Sequence, residues 1–232
     1  MSTDFLLRHV ESGGGTRDFR VYVPPDYDDD HTWPAVLFLH GAGERGNDSV
    51  TPTKVGIGPH LYDREPYPAI VVFPQCPAES HWSAPAARAI AAAALDSVIS
   101  EFRIDAARIA LTGISMGAAG AWLLASDQTG RFASLAPVCG WLSSRAKRDF
   151  SGFVKGIAHI PTWIFHGDAD TIVPVDESRI MHAALEAAGA QVRYTELKGV
   201  GHNSWDPAYG ESGLMEWLVG EDPRTRGPEN SK

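Results

Sequence analysis

From Pro34 onward, short and nearly unbroken apolar runs alternate with helical stretches, and no other feature of the chain narrows its fold as far. The runs are Ala35–Leu39, Ala69–Phe73, Arg108–Leu111, Leu135–Val138, Thr162–Phe165 and Val192–Leu197. A strand that is apolar on both faces must be covered on both, which is the condition of a parallel sheet between two layers of helix. Two earlier segments, Phe5–Val10 and Phe19–Val23, are joined by Ser12-Gly13-Gly14-Gly15 and read as an antiparallel pair, ended by Pro24-Pro25. Helices are expected over 86–102, 116–126, 176–188 and 213–219. The expectation is a single α/β domain over residues 1–219, two leading strands plus six more, followed by a flexible polar tail over 220–232.

Composition excludes several other classes. The 232 residues are 44% hydrophobic and 21% charged, a globular balance, and their net charge of −9 disfavours phosphate backbones and anionic lipid. Nucleic-acid and membrane partners are therefore not expected, and no apolar run approaches membrane-spanning length. Two cysteines, Cys76 and Cys139, are too few for a disulfide scaffold or a four-cysteine zinc site, and no metal is expected. The first residues lack a basic segment followed by an apolar core. The chain as written reads as cytoplasmic, with secretion open if a signal peptide once preceded it.

Gly113-Ile114-Ser115-Met116-Gly117 lies between a predicted strand and an alanine-rich helix. Glycines on either side let the chain turn sharply, so that Ser115 stands at the strand's C-terminal end beside the free N–H groups of the helix. A glycine-lined turn with a capping serine is the plainer reading of that segment alone. A serine hydroxyl needs a base to become a nucleophile, and the base needs an orienting acid. His202 is the candidate base, in the loop Gly199-Val200-Gly201-His202 after the last predicted strand. His40 and His166 end strands just before glycine, where hydrogen bonding to nearby backbone is the expected role. Asp170 is the candidate acid; Asp168, two residues earlier, competes but reads as a turn-stabilising carboxylate. Each of the three candidates follows a different predicted parallel strand, and serine-acid-histidine is the chain order of the α/β-hydrolase triad. Leu39-His40-Gly41-Ala42-Gly43 supplies the remaining part, an oxyanion hole built from the N–H groups of Ala42 and Met116.

Taken with Pro74-Gln75-Cys76-Pro77, Ala136-Pro137-Val138-Cys139-Gly140 and His166-Gly167-Asp168-Ala169-Asp170, these segments resemble the predicted-peptidase or polyhydroxybutyrate-depolymerase-like carboxylesterases. That group in turn resembles esterases acting on feruloyl and acetyl groups. The resemblance covers roughly residues 17–219. It implies the α/β-hydrolase fold, a single mostly parallel eight-stranded sheet with helices on both faces and no large lid. One departure is Ala118-Ala119, where the pattern would carry a further glycine.

The connection from Trp141 to Pro161 is too short for a helical cap, and its segment Ser143, Ser144, Arg145, Lys147, Arg148 is polar and basic. Trp82, Trp141 and Trp205 are expected in loops at the sheet's C-terminal edge, where they could wall a substrate pocket. Cys76 and Cys139 follow strands separated by two others, so both are expected as free thiols. The reading is a serine carboxylesterase for short-chain or aryl esters that needs no cofactor. Feruloyl or acetyl-carbohydrate esters are the alternative substrates, and peptidase action ranks below both. A non-catalytic binding protein of the same fold is the alternative of a different class.

Overall fold

In a computed structural model, residues 5–12, 14–62, 66–142 and 149–220 are described. The leading pair forms as expected: β1 (Leu6–Ser12) runs antiparallel to β2 (Gly15–Tyr22), with Leu6 opposite Val21 and Ser12 opposite Gly15. Six further strands follow: β3 (Trp33–Leu39), β4 (Ile70–Phe73), β5 (Ile104–Ile114), β6 (Ser134–Val138), β7 (Thr162–Gly167) and β8 (Val192–Leu197). They make one eight-stranded sheet in the order β1-β2-β4-β3-β5-β6-β7-β8. β2 meets β4 antiparallel, and every pairing from β4 to β8 is parallel.

Residues of β3 alternate between two cores because successive side chains leave opposite faces of a strand. Ala35, Leu37 and Leu39 face one cluster, and Val36 and Phe38 face the other. The first cluster is closed by α1 (Pro85–Glu101), α2 (Met116–Asp127), α3 (Phe150–Ile157) and α4 (Asp176–Ala187). The second is closed by α5 (Trp205–Glu211) and α6 (Leu214–Leu218), through Tyr209, Leu214 and Leu218 among others. This is the α/β-hydrolase arrangement that the sequence resemblance implies. Between β6 and β7 the described chain holds only the eight-residue α3, with no large lid insertion.

Three elements differ from the sequence expectation. Ile104 begins β5, ahead of the expected strand start at Arg108, and α1 ends at Glu101, close to its expected end. The first residues of β5 are mostly exposed, so they lack the apolar signature by which buried strands are found. Helix α3 buries only Phe153, Val154 and Ile157, a stripe too short to register as a period. Helix α5 carries Pro207 and Gly210, both poor helix formers, yet proline is tolerated in a first turn. Of the expected tail over 220–232 only Gly220 is described, and the basic segment 143–148 lies outside the described residues. Cys76 and Cys139 are free and buried. Among the described residues, no helix is long and apolar enough to cross a membrane.

Candidate active site

The turn from β5 into α2 is shaped by what it excludes. A Cβ on Gly117 would fall 1.9 Å from the carbonyl oxygen of Leu39, and one on Gly113 would fall 2.7 Å from the carbonyl carbon of Gly117. The first turn of α2 therefore lies against the end of β3 with no room for a side chain. Ser115, between these glycines, is held at φ 51° and ψ −115°, a conformation L-residues rarely adopt. Its own N–H donates to Val138 O at 2.9 Å, and its carbonyl accepts from Ala119 at 3.1 Å. Strain at this residue is thus offset by ordinary backbone bonds on both sides, and the hydroxyl is turned out of the sheet edge.

The same approach accounts for the missing glycine of the sequence pattern. A Cβ on Gly140, at the exit of β6, would fall 2.5 Å from the Cβ of Ala118. The methyl of Ala118 occupies space that glycine leaves open on the neighbouring strand end.

His202 reaches Ser115 from the loop after β8, and Asp170 reaches His202 from the loop after β7. His202 Nε2 lies 2.9 Å from Ser115 Oγ, and His202 Nδ1 lies 2.7 Å from Asp170 Oδ2. An ionised carboxylate only accepts hydrogen bonds, so Nδ1 carries the proton and Nε2 presents its lone pair to the serine hydroxyl. The three residues expected from the sequence are brought together in a single hydrogen-bonded row. The Asp170 side chain is buried while that of His202 is 21% exposed. Burial pushes the Asp170 carboxyl up, but N–H groups from His202, Val173 and Ile172 outweigh it and hold the pKa below the usual carboxylate value. The acid is therefore charged throughout the neutral range.

The two loops are laced to each other. Asp168 Oδ1 accepts the Gly199 N–H at 2.6 Å, and Ala169 N–H donates to Val200 O at 3.0 Å. Asp168 stabilises a turn as expected, but the turn is that of the histidine loop. Gly167 permits this contact, since a Cβ there would fall 2.1 Å from Val200 O.

Ala42 opens the 3-10 turn Ala42–Glu44, and Met116 is the first residue of α2, so neither N–H has a partner within its own helical segment. The segment leading to Ala42 is anchored by His40, whose Nδ1–H donates to Gly41 O at 2.6 Å and whose Nε2 accepts the Cys76 N–H at 2.9 Å. Burial pushes the His40 pKa down to about 4, so it stays neutral and keeps both bonds.

The tryptophans divide. Trp82 is a correction to the expected pocket wall: it is fully buried, donates Nε1–H to His40 O at 3.0 Å, and rests its Cβ where any side chain on Gly120 would sit. It supports the His40 segment from below. Trp205 lies in the first turn of α5 and not in a loop, with its ring edge-on to His202 at 5.6 Å between centroids. Trp141 is half-buried and packs against the first core cluster.

Sequence reasoning missed what lies behind the row. Cys139, at φ 44°, places its thiol with Asp170 and His202 so that sulfur, oxygen and nitrogen lie within 4.8 Å of one another. A cation there would need atoms that Asp170 and His202 already spend on each other. Burial pushes the Cys139 thiol up to about 12, so it is a neutral packing group at this position.

Comparisons with known proteins find relatives both by sequence and by structure. A family model described as phospholipase/carboxylesterase matches residues 83–209. A thermostable esterase of known structure superposes with a TM-score of 0.79 at 31% identity, covering 94% of this chain and 63% of its own. An acyl-protein thioesterase 1 from Gibberella zeae is 28% identical over 100 residues, 42% of each chain. An uncharacterized secreted protein from Arthroderma benhamiae is 30% identical over 115 residues, 40% of this chain and 12% of that one. The chain spans less than two thirds of the length of each of these relatives.

Proposed function

The chain belongs to the phospholipase/carboxylesterase family, and from that membership we propose that it is a serine carboxylesterase for short-chain or aryl carboxylic esters. The observation that carries the reading is the Ser115–His202–Asp170 row, with the serine held in a strained turn at a helix N-terminus.

Chemistry follows from the proton positions. His202 Nε2 takes the Ser115 proton as Oγ attacks the ester carbonyl carbon, and Asp170 stabilises the imidazolium that forms. The N–H groups of Ala42 and Met116 receive the negative charge that develops on the carbonyl oxygen, each worth roughly 3 kcal/mol in the transition state. His202 then gives its proton to the departing alcohol, leaving an acyl group on Ser115. Water, deprotonated by the same nitrogen, attacks that acyl group, and the acid is released as the serine regains its proton. Only a neutral His202 can act as base, because the proton it takes from Ser115 needs a free lone pair on Nε2. The short β6–β7 connection favours an accessible site and small or aryl acyl groups. Trp205 beside His202 would equally suit a cinnamoyl ring, so feruloyl and acetyl-carbohydrate esters form the alternative substrate class.

Hydrolysis of a p-nitrophenyl series from acetate to dodecanoate, beside feruloyl and cinnamoyl esters, tests the reading. Ser115→Ala should lower kcat by about 10⁴-fold or more while leaving the fold intact. A short-chain optimum supports the proposed class, and a feruloyl preference moves it to the alternative. Equal inertness of wild type and variant across the series would favour a non-catalytic binding protein.

A further inference from the structure

Asp170 faces two histidines. Its Oδ2 accepts from His202 Nδ1 at 2.7 Å and lies 3.2 Å from Nε2 of His166, whose side chain is fully buried. The proton on His166 can be placed from its partners. Nε2 is 3.0 Å from the carbonyl oxygen of Val173, which can only accept, so Nε2 carries the hydrogen. Nδ1 is then a lone pair, and it accepts the hydroxyl proton of Ser178 from α4 at 2.7 Å. One N–H is therefore directed at Val173 O with Asp170 Oδ2 beside it. Val173 and Ile172 meanwhile donate their own N–H groups to Asp170 Oδ1 at 2.9 and 2.8 Å. The turn that carries the acid is closed on one side by its own backbone and on the other by His166.

We propose that His166 is a positioning residue: its Nε2–H, fixed by Ser178 and Val173, holds the Asp170 turn in place and tempers the pull of Asp170 on the His202 proton. The inference rests on the serine-hydrolase reading above. Charged or titratable groups around His166 are Asp170 in the following loop, His202 from the loop after β8, and Glu196, its partner in register on β8. Glu196 is tied to Arg179 of α4, so its charge is compensated locally and does not substitute for Asp170. Burial keeps His166 neutral, which leaves it the single N–H that the geometry requires.

Without that N–H the positive end of a dipole is lost beside Oδ2, and the carboxylate holds the proton on His202 more firmly. The expected signature is an upward shift in the pH at which Ser115 becomes nucleophilic, together with a lower plateau. The readout is the rate of Ser115 labelling by a fluorophosphonate, followed from pH 5 to pH 9, which does not depend on knowing the natural ester. His166→Phe should raise the midpoint by about half a pH unit or more and lower the plateau rate about ten-fold. His166→Gln keeps an N–H near the Nε2 position and should stay close to wild type in both. Ser178→Ala, which frees the imidazole to change tautomer and disturbs packing little, should shift the midpoint the same way by a smaller amount. A folded His166→Phe or Ser178→Ala with an unmoved midpoint would overturn the proposal, since a purely structural role lowers the plateau alone. Failure of wild-type Ser115 to label at all would instead sink the serine-hydrolase reading and this inference with it.

Discussion

Ser115 sits where backbone is pressed against backbone, whereas His202 and Asp170 sit on loops held by hydrogen bonds. On the serine side, Gly113 and Gly117 remove every atom between the end of β3 and the first turn of α2, and ten successive residues of α2 from Met116 to Ala125 are buried. On the other side, Asp168, Ala169, His166 and Val173 tie loops in which Asp168, Thr171 and Ile172 are exposed. Close packing is not adjustable by small amounts, while a hydrogen-bonded loop can yield. Ser115 thus belongs to the close-packed half of the site, and His202 and Asp170 belong to the hydrogen-bonded half. Gly167 is the exception that lets the two loops of the yielding half touch.

Substitution on the rigid side should break the comparison most severely. Gly117→Ala would drive a methyl to 1.9 Å from Leu39 O, and a backbone carbonyl cannot swing aside as a side chain can. A loss of about 4 kcal/mol or more is expected, read as failure to accumulate folded protein or as a collapse of Tm.

Acid should find the next weakness. Burial holds the His40 pKa down to about 4 in the folded chain, against about 6.5 for an unperturbed imidazole, so between those limits the unfolded chain binds a proton that the folded chain refuses. Stability is therefore full above about pH 6.5 and declines as pH falls toward 4, by up to about 3 kcal/mol from this residue. His166, also pushed down by burial, adds in the same direction. Urea midpoints at pH 7, 5.5 and 4.5 would measure the slope. A flat profile would show that the folded and unfolded chains take up the His40 proton at the same pH, against the burial of this ring.

Asp168→Ala should have the smallest effect on stability, about 1–2 kcal/mol for a charged acceptor lost at a partly exposed turn. Its effect on turnover should exceed what that figure suggests, about three- to ten-fold, because the Gly199 N–H it releases lies in the loop that carries His202. An unchanged kcat would mean that the Ala169–Val200 bond alone holds the histidine in place.

The strands and the reactive row were readable in the chain because both rest on local rules. Apolar runs mark buried strands, and a serine between glycines marks a strand-to-helix turn. Asp170 was separable from Asp168 by its distance from the strand end. What escaped was decided by contacts between distant segments. Nothing adjacent to Trp82 in the chain announces that it lies beneath Gly120 and His40, and no apolar period marks α5, whose burial comes from Tyr209 seated against Phe38 and Thr112. His166 was visible as a strand-end histidine, but its second partner depends on how the loop after β7 folds back.

Ala118 and Gly140 carry a consequence for how such chains diverge. Their Cβ positions compete for one volume, so the two residues form a pair in which only one methyl is admitted. What a side chain at position 140 costs therefore depends in part on what stands at position 118. The glycine that the local pattern lacks after the serine is present in space, on the next strand. Exchanging Ala118 for glycine would lessen the crowding at position 140 without removing it, since the Ala118 carbonyl carbon and the Ala119 nitrogen would still lie 3.2 and 3.3 Å from a Cβ there.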